Sequence, residues 1–124
     1  MPPHTMMKTR HDDCEPSVAK DGSIIRELMH PAVHGNRRQS LAEAVVPVGA
    51  ATMLHRHLKT EEIYHITAGT GIMVVEDEQF RVAAGDTVCI TPNTPHRITN
   101  SGTIPLTILC CCSPAYSHDD THLL

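Results

Sequence analysis

The 124-residue chain has no Trp, one Phe and two Tyr, so aromatic residues make up only 2% of it. That poverty argues against recognition of single-stranded nucleic acid by base stacking, which needs aromatic platforms. It also leaves the core to Val, Ile, Leu, Ala and Met. Positive charge is scarce: 10 Lys and Arg stand against 14 Asp and Glu, the net charge is −4, and the longest basic run is the pair Arg37-Arg38. A phosphate-tracking surface is not expected. No apolar run approaches the roughly 20 residues of a membrane-spanning helix. Met1 to Arg10 lacks the apolar stretch of a secretory leader. We therefore expect a cytoplasmic protein with no nucleic-acid or membrane partner. The five cysteines include no Cys-x-x-Cys spacing that would suggest a thiolate metal site. Cys110, Cys111 and Cys112 are consecutive, and neighbours in a strand face opposite ways, so they do not pair easily. They read as small, reduced core residues.

Histidine, by contrast, is abundant, with ten in the chain, and it is the commonest metal ligand. The length suits one domain. Residues 1–22 are polar, carry Pro2, Pro3 and Pro16, and read as a loosely held arm. From residue 23 to 116 short apolar runs alternate with turn residues. Ile24 to Met29 follows Asp21-Gly22, Leu41 to Val46 stops at Pro47, and Glu62 to Thr67 stops at Gly69-Thr70-Gly71. Similar runs end at Glu76-Asp77-Glu78, Gly85-Asp86, Pro92-Asn93, Asn100-Ser101-Gly102 and Ser113-Pro114. This rhythm predicts an all-β antiparallel sandwich or barrel of six to eight strands. Residues 117–124 form a tail, and its Ser117-x-x-Asp120 start could cap a helical turn.

The chemistry concentrates in His55-Arg56-His57, Glu62 and His96. Residues i and i+2 of a strand share a face about 7 Å apart, so the two imidazoles can converge on one point while Arg56 points away. Glu62 opens the next strand, and His96 opens a later one after the turn Pro92 to Pro95. Three nitrogens and a carboxylate suit a first-row transition metal rather than Ca²⁺ or Mg²⁺. Alternation sends Tyr64 to the face of Glu62 and His65 to the other. Met53 is expected on the face of His55 and His57. His4, His11, His30, His34, His118 and His122 have no partner at ligand spacing and are read as non-ligands.

At these residues the chain resembles the cupin superfamily. Gly49, His55-Arg56-His57, Glu62 and Gly69 reproduce the first cupin motif. Gly85, Pro92, His96 and Asn100 follow the second, with Thr91 where the family has Pro and Asn93 where it has Gly. Asn is the residue best able to replace Gly at positive φ, so the turn is expected to survive. The resemblance implies a single jelly-roll cupin barrel over 23–116. It also implies one divalent metal per chain (Mn, Fe, Ni, Cu or Zn) on His55, His57, Glu62 and His96, and a homodimer that pairs through the first strand. It further implies a metalloenzyme of isomerase, dioxygenase or lyase type acting on a small oxygenated metabolite. The alternative is a non-catalytic sugar or small-acid binding module with a metal anchor. A regulatory cupin joined to a DNA-binding domain is disfavoured, since no helix-turn-helix segment is visible. Tyr64 is the candidate catalytic side chain, through its hydroxyl. Asn100 is expected to anchor a turn, and Arg26 and Glu27 read as an exposed edge pair. Tyr116 is left between covering the barrel mouth and packing at a subunit interface.

Overall fold

The computed structural model describes residues 7–124; His4 and the first part of the arm lie outside that range. Eleven strands follow in chain order: β1 (Ser17–Val18), β2 (Ile24–Met29), β3 (Ser40–Val46), β4 (His55–His57), β5 (Glu61–Ala68), β6 (Thr70–Val75), β7 (Glu78–Ala83), β8 (Thr87–Ile90), β9 (His96–Asn100), β10 (Leu106–Ser113) and β11 (Thr121–Leu123). One helical turn, α1 (Pro31–His34), links β2 to β3. The strands form two antiparallel sheets, β1-β2-β3-β10-β5-β8 and β11-β4-β9-β6-β7, in a jelly-roll barrel. No helix among the described residues is long and apolar enough to cross a membrane.

Alternation along each strand sends one set of side chains between the sheets. In β3 this buries Ser40, Ala42, Ala44 and Val46, and in β10 Leu106, Ile108, Cys110 and Cys112. Val46, Ile66, Met73, Ile90, Ile98, Leu106 and Ile108 are each at most 1% exposed. Burying each such side chain contributes about 1.5–3 kcal/mol. Aliphatic packing thus replaces the missing aromatics, with Tyr64 the one aromatic wholly inside the cluster and Phe80 packed against its edge. Gly69 joins β5 to β6 at φ 87°, where a Cβ would lie 2.8 Å from the Pro105 carbonyl oxygen and 3.0 Å from Leu106 Cα. Both the backbone conformation and the space demand glycine there. Asn93 adopts φ 65°, as expected of an Asn standing in for Gly.

Three expectations change. The arm is structured from residue 11: His11–Asp13 form a 3-10 turn, and Ser17–Val18 pair with β2. The tail is not helical. Its Ser-x-x-Asp start makes a turn, and Thr121–Leu123 then pair with His55–His57, because the edge of β4 offers free backbone groups. These two short strands help raise the count above the six to eight expected. Between β2 and β3, α1 is capped by the His30 side chain accepting from the Ala32 N–H and ended by Gly35.

Candidate metal centre

The short strand β4 is flanked by β9 and β11, and this pairing sets the geometry. His55 stands directly across from His96, and His57 across from Thr121. All three histidines are at most 4% exposed and point between the sheets. Glu62 reaches the same region from the facing sheet, where β5 places it opposite Cys112 and Ile90. The site therefore spans the barrel, with nitrogens from one sheet and a carboxylate from the other.

Each imidazole is pinned through Nδ1. His55 Nδ1 lies 2.7 Å from the Met53 carbonyl oxygen, and His96 Nδ1 lies 2.9 Å from that of Thr94. A carbonyl only accepts, so both Nδ1 atoms carry the proton. His57 Nδ1 lies 2.9 Å from Thr121 Oγ1, whose own proton goes to the Ser117 carbonyl oxygen at 2.8 Å. The hydroxyl must then accept from His57 as well. All three rings present an Nε2 lone pair inward, the tautomer a metal requires.

The ligand atoms of the three histidines lie within 4.8 Å of one another. Glu62 stands beside two of them, with Oε1 3.3 Å from His57 Nε2 and 3.6 Å from His96 Nε2. Its other oxygen accepts from Cys112 Sγ at 3.2 Å. Glu62 Oε1 and His96 Nε2 are buried with no hydrogen-bond partner among the described residues. Lone pairs facing a carboxylate repel unless positive charge lies between them or on the rings. Two adjacent donors on an ion with bonds of about 2.1 Å stand about 3.0 Å apart at a right angle and about 3.4 Å apart at a tetrahedral angle. The observed spacings and the orphaned atoms fit a transition metal at this point.

Ionisation is consistent with that fit. Without a metal, positive charge on the His57 and His96 rings takes its place beside Glu62: burial pushes the carboxyl up, but those rings, when protonated, outweigh it and hold it at about 2, so it is a carboxylate at neutral pH. Burial and the neighbouring His96 hold His55 below the usual imidazole range, which keeps it neutral. Burial and the nearby Glu62 push the thiols of Cys110 and Cys112 and the phenol of Tyr64 upward. All three keep their protons.

Tyr64 lies beside the histidine cluster, its ring 6.1 Å from that of His96. It lines a cavity shared with His55, His57 and Glu62. The cavity measures about 40 Å³, against about 10–15 Å³ for one water centre. His65 faces outward and bonds Thr87 Oγ1. His30 and His34 serve the α1 turn, and His30 also bonds the Tyr116 carbonyl oxygen. Asn100 anchors the turn before β10 through Val46, Gly102 and Ile104.

Other expectations fail here. Met53 is 55% exposed rather than inward, because β4 begins only at His55 and the chain before it is not extended strand. Its contribution is the carbonyl that pins His55. Glu27 is not an exposed edge residue: it lines the cavity, while Arg26 turns outward to the carbonyl oxygens of His11 and Cys14. Tyr116 lines the cavity too, edge-on to His57 with ring centres 5.9 Å apart. Sequence reading missed Asp21 and Thr121. Asp21 is 9% exposed, lines the cavity and places Oδ2 3.6 Å from His55 Nε2. Glu27 did carry a signal, since it shares strand parity with Ile25; Asp21 and Thr121 sit outside any periodic run.

Comparison with known proteins agrees with this architecture. A family model for the cupin domain matches residues 42–112. An uncharacterized protein of Methanocaldococcus jannaschii, MJ1618, is 54% identical over 119 residues, covering 96% of this chain and 95% of that protein. A predicted oxalate decarboxylase from Thermotoga maritima superposes with a TM-score of 0.76 at 24% identity, covering 87% of this chain and 99% of that one. Streptomyces Pac13, a nucleoside dehydratase, superposes in its uridine complex with a TM-score of 0.78 at 16% identity, covering 97% and 92%. The two structural likenesses speak to the fold alone; the family match runs from β3 through β10 and takes in all three histidines and Glu62, and on it the chain belongs to the cupin family.

Proposed function

We propose that this cupin is a metalloenzyme for a small oxygenated metabolite, with one divalent transition metal (Mn, Fe, Ni, Cu or Zn) held by His55, His57, Glu62 and His96. Chemistry of isomerase, dioxygenase or lyase type fits such a site. The observation that carries this reading is the set of converging donors, three Nε2 lone pairs and the orphaned Glu62 Oε1, opening on a cavity that Tyr64 also lines. A bound metal supplies Lewis acidity toward an oxygen of the ligand.

The chain's own residues supply the rest. Glu27, Ala42, Cys110 and Tyr64 occupy one row across β2, β3, β10 and β5. The small side chains between the carboxyl and the phenol leave floor space for a ligand. Tyr64 keeps its proton and donates a hydrogen bond. Burial pushes the Glu27 carboxyl above the ordinary carboxylate range, a poise that suits proton exchange with a ligand. Ile98, Ile108 and Val46 wall the cavity and exclude water. That one neighbour is a nucleoside dehydratase and another a predicted oxalate decarboxylase supports enzymatic use of this barrel without choosing a reaction. The unpaired cysteines support a reducing, cytoplasmic setting.

A second reading, a non-catalytic sugar or small-acid binding module with a metal anchor, draws on the raised thiols and phenol, which leave few groups free to move protons near neutral pH. The test is to titrate oxalate and a panel of small hydroxy acids and sugars into Mn- or Fe-loaded protein. An active site shows direct ligand coordination in the metal spectrum and turnover of at least one compound, and Tyr64→Phe weakens ligand binding without losing metal. Coordination without turnover favours the binding module. A metal spectrum unchanged at saturating ligand refutes both.

A further inference from the structure

Asp21 sits in the turn between β1 and β2, closed by Ala19 N–H to Ser23 O at 2.8 Å and Gly22 N–H to Ala19 O at 3.0 Å. Its Oδ1 accepts from both the backbone N–H and the hydroxyl of Ser23, at 2.9 and 2.7 Å. Its main-chain oxygen accepts from the Met53 N–H at 2.8 Å. These bonds fix the carboxyl and leave Oδ2 directed at the histidines, 3.6 Å from His55 Nε2. That is too long for a hydrogen bond. His55 has no proton to offer there either, since its Nδ1–H is given to Met53. Oδ2 has no hydrogen-bond donor among the described residues.

Asp21 Oδ2 thus resembles Glu62 Oε1 in standing 3.6 Å from an imidazole Nε2 on the same cavity, though its side chain keeps 12% of its surface open to solvent. A fixed carboxylate oxygen facing an imidazole lone pair is repelled by it, and a cation between the two turns that repulsion into attraction. We infer that Asp21 is a second carboxylate ligand of the metal, approaching from the His55 side while Glu62 approaches from the side of His57 and His96. The inference rests on the metal-binding reading above. It has two chemical consequences. Two carboxylates neutralise a divalent ion and shift preference toward the harder Mn(II) and Fe(II). Five protein donors leave a six-coordinate ion one exchangeable position, so a metabolite binds it through a single oxygen and turns its remaining polar groups to Tyr64 and Glu27.

The test is competitive Mn(II) titration against a chelator, with Co(II) absorption as a report on coordination number. It compares the unmodified protein with Asp21→Asn and with the exposed control Glu61→Gln. Asparagine preserves the acceptor for Ser23 and removes the charge. We expect Asp21→Asn to weaken Mn(II) at least tenfold and to change the Co(II) spectrum, with Glu61→Gln unchanged. Amide exchange in the unmodified protein gives an arm that needs no variant: residues 17–23 should become more protected when Mn(II) is added. Wild-type Mn(II) affinity and an unchanged Co(II) spectrum in Asp21→Asn overturn the inference, as does exchange at 17–23 indifferent to metal. Unmodified protein that binds no metal at all is a different result, and it refutes the metal reading itself.

Discussion

Thr121→Val removes one oxygen atom from the second layer of the site. Thr121 is 1% exposed, and its hydroxyl takes the His57 Nδ1–H at 2.9 Å and gives its own proton to Ser117 at 2.8 Å. Valine keeps the shape and strands both partners. The Ser117 carbonyl is only partly buried and can recruit water. The imidazole N–H is buried and cannot, and an unsatisfied donor of that kind costs about 1–3 kcal/mol. The ring escapes part of the cost by moving its proton to Nε2, but it then presents N–H instead of a lone pair to the centre. Loss of such an orienting partner typically weakens metal binding about 10–100-fold. Urea unfolding of the metal-free protein should therefore show a loss of about 1–3 kcal/mol, and chelator competition a weakening within that 10–100-fold range. Thr121→Ser keeps the hydroxyl and should stay close to the unmodified protein in both assays. Metal affinity in Thr121→Val equal to that of the unmodified protein would refute the claim that β11 sets the His57 tautomer.

Replacing His55 or His96 with Ala should remove most of the metal found by elemental analysis, whereas His65→Ala and His34→Ala should retain it. If His65→Ala empties the site and His57→Ala does not, the strand register is one residue out. Metal-free protein should lose thermal stability in two stages on acidification. His55 is held below its usual 6.5, so its contribution is complete above 6.5 and is lost as the pH falls from there through its folded value. Glu62, held at about 2 against a usual 4.5, contributes fully above 4.5 and less as the pH falls toward 2. A melting temperature flat from pH 7 to pH 3 contradicts both. Light scattering should give twice the chain mass, since the outward face of the six-stranded sheet exposes Ile24, Leu41 and Ile63 and a thin core gains from covering them; a monomer at micromolar concentration argues against that assembly.

Most of the barrel was legible because strand alternation is a strict code. The parity that puts Glu62, Tyr64 and Ile66 inside also puts Glu61, Ile63 and His65 outside, and the structure keeps that parity along all of β5. The His-x-His pair was readable for the same reason. Asp21 was not, because its position depends on an Asx turn and a bond to Met53, contacts that leave no period in the sequence. Thr121 was hidden more deeply. Its segment is three residues long, and only pairing with β4 makes it a strand. Glu27 was misread because a charged residue in a first strand is usually at an edge, and here β1 covers that edge.

The turn before β2 and the segment around β11 also meet. Lys20 Nζ donates to the carbonyl oxygens of Thr121 and His118, at 2.8 and 3.2 Å, and the Leu124 N–H donates to the Leu54 carbonyl oxygen. Anyone trimming this protein to a minimal domain would naturally cut to the family-matched stretch, residues 42–112. That fragment keeps the three histidines and Glu62, yet it discards the turn bearing Asp21, the cavity wall formed by Glu27 and Tyr116, and the hydroxyl that orients His57. Sequence similarity confined to that stretch therefore marks a shared frame, and part of the wall around its cavity is built by flanking segments that such a comparison leaves out.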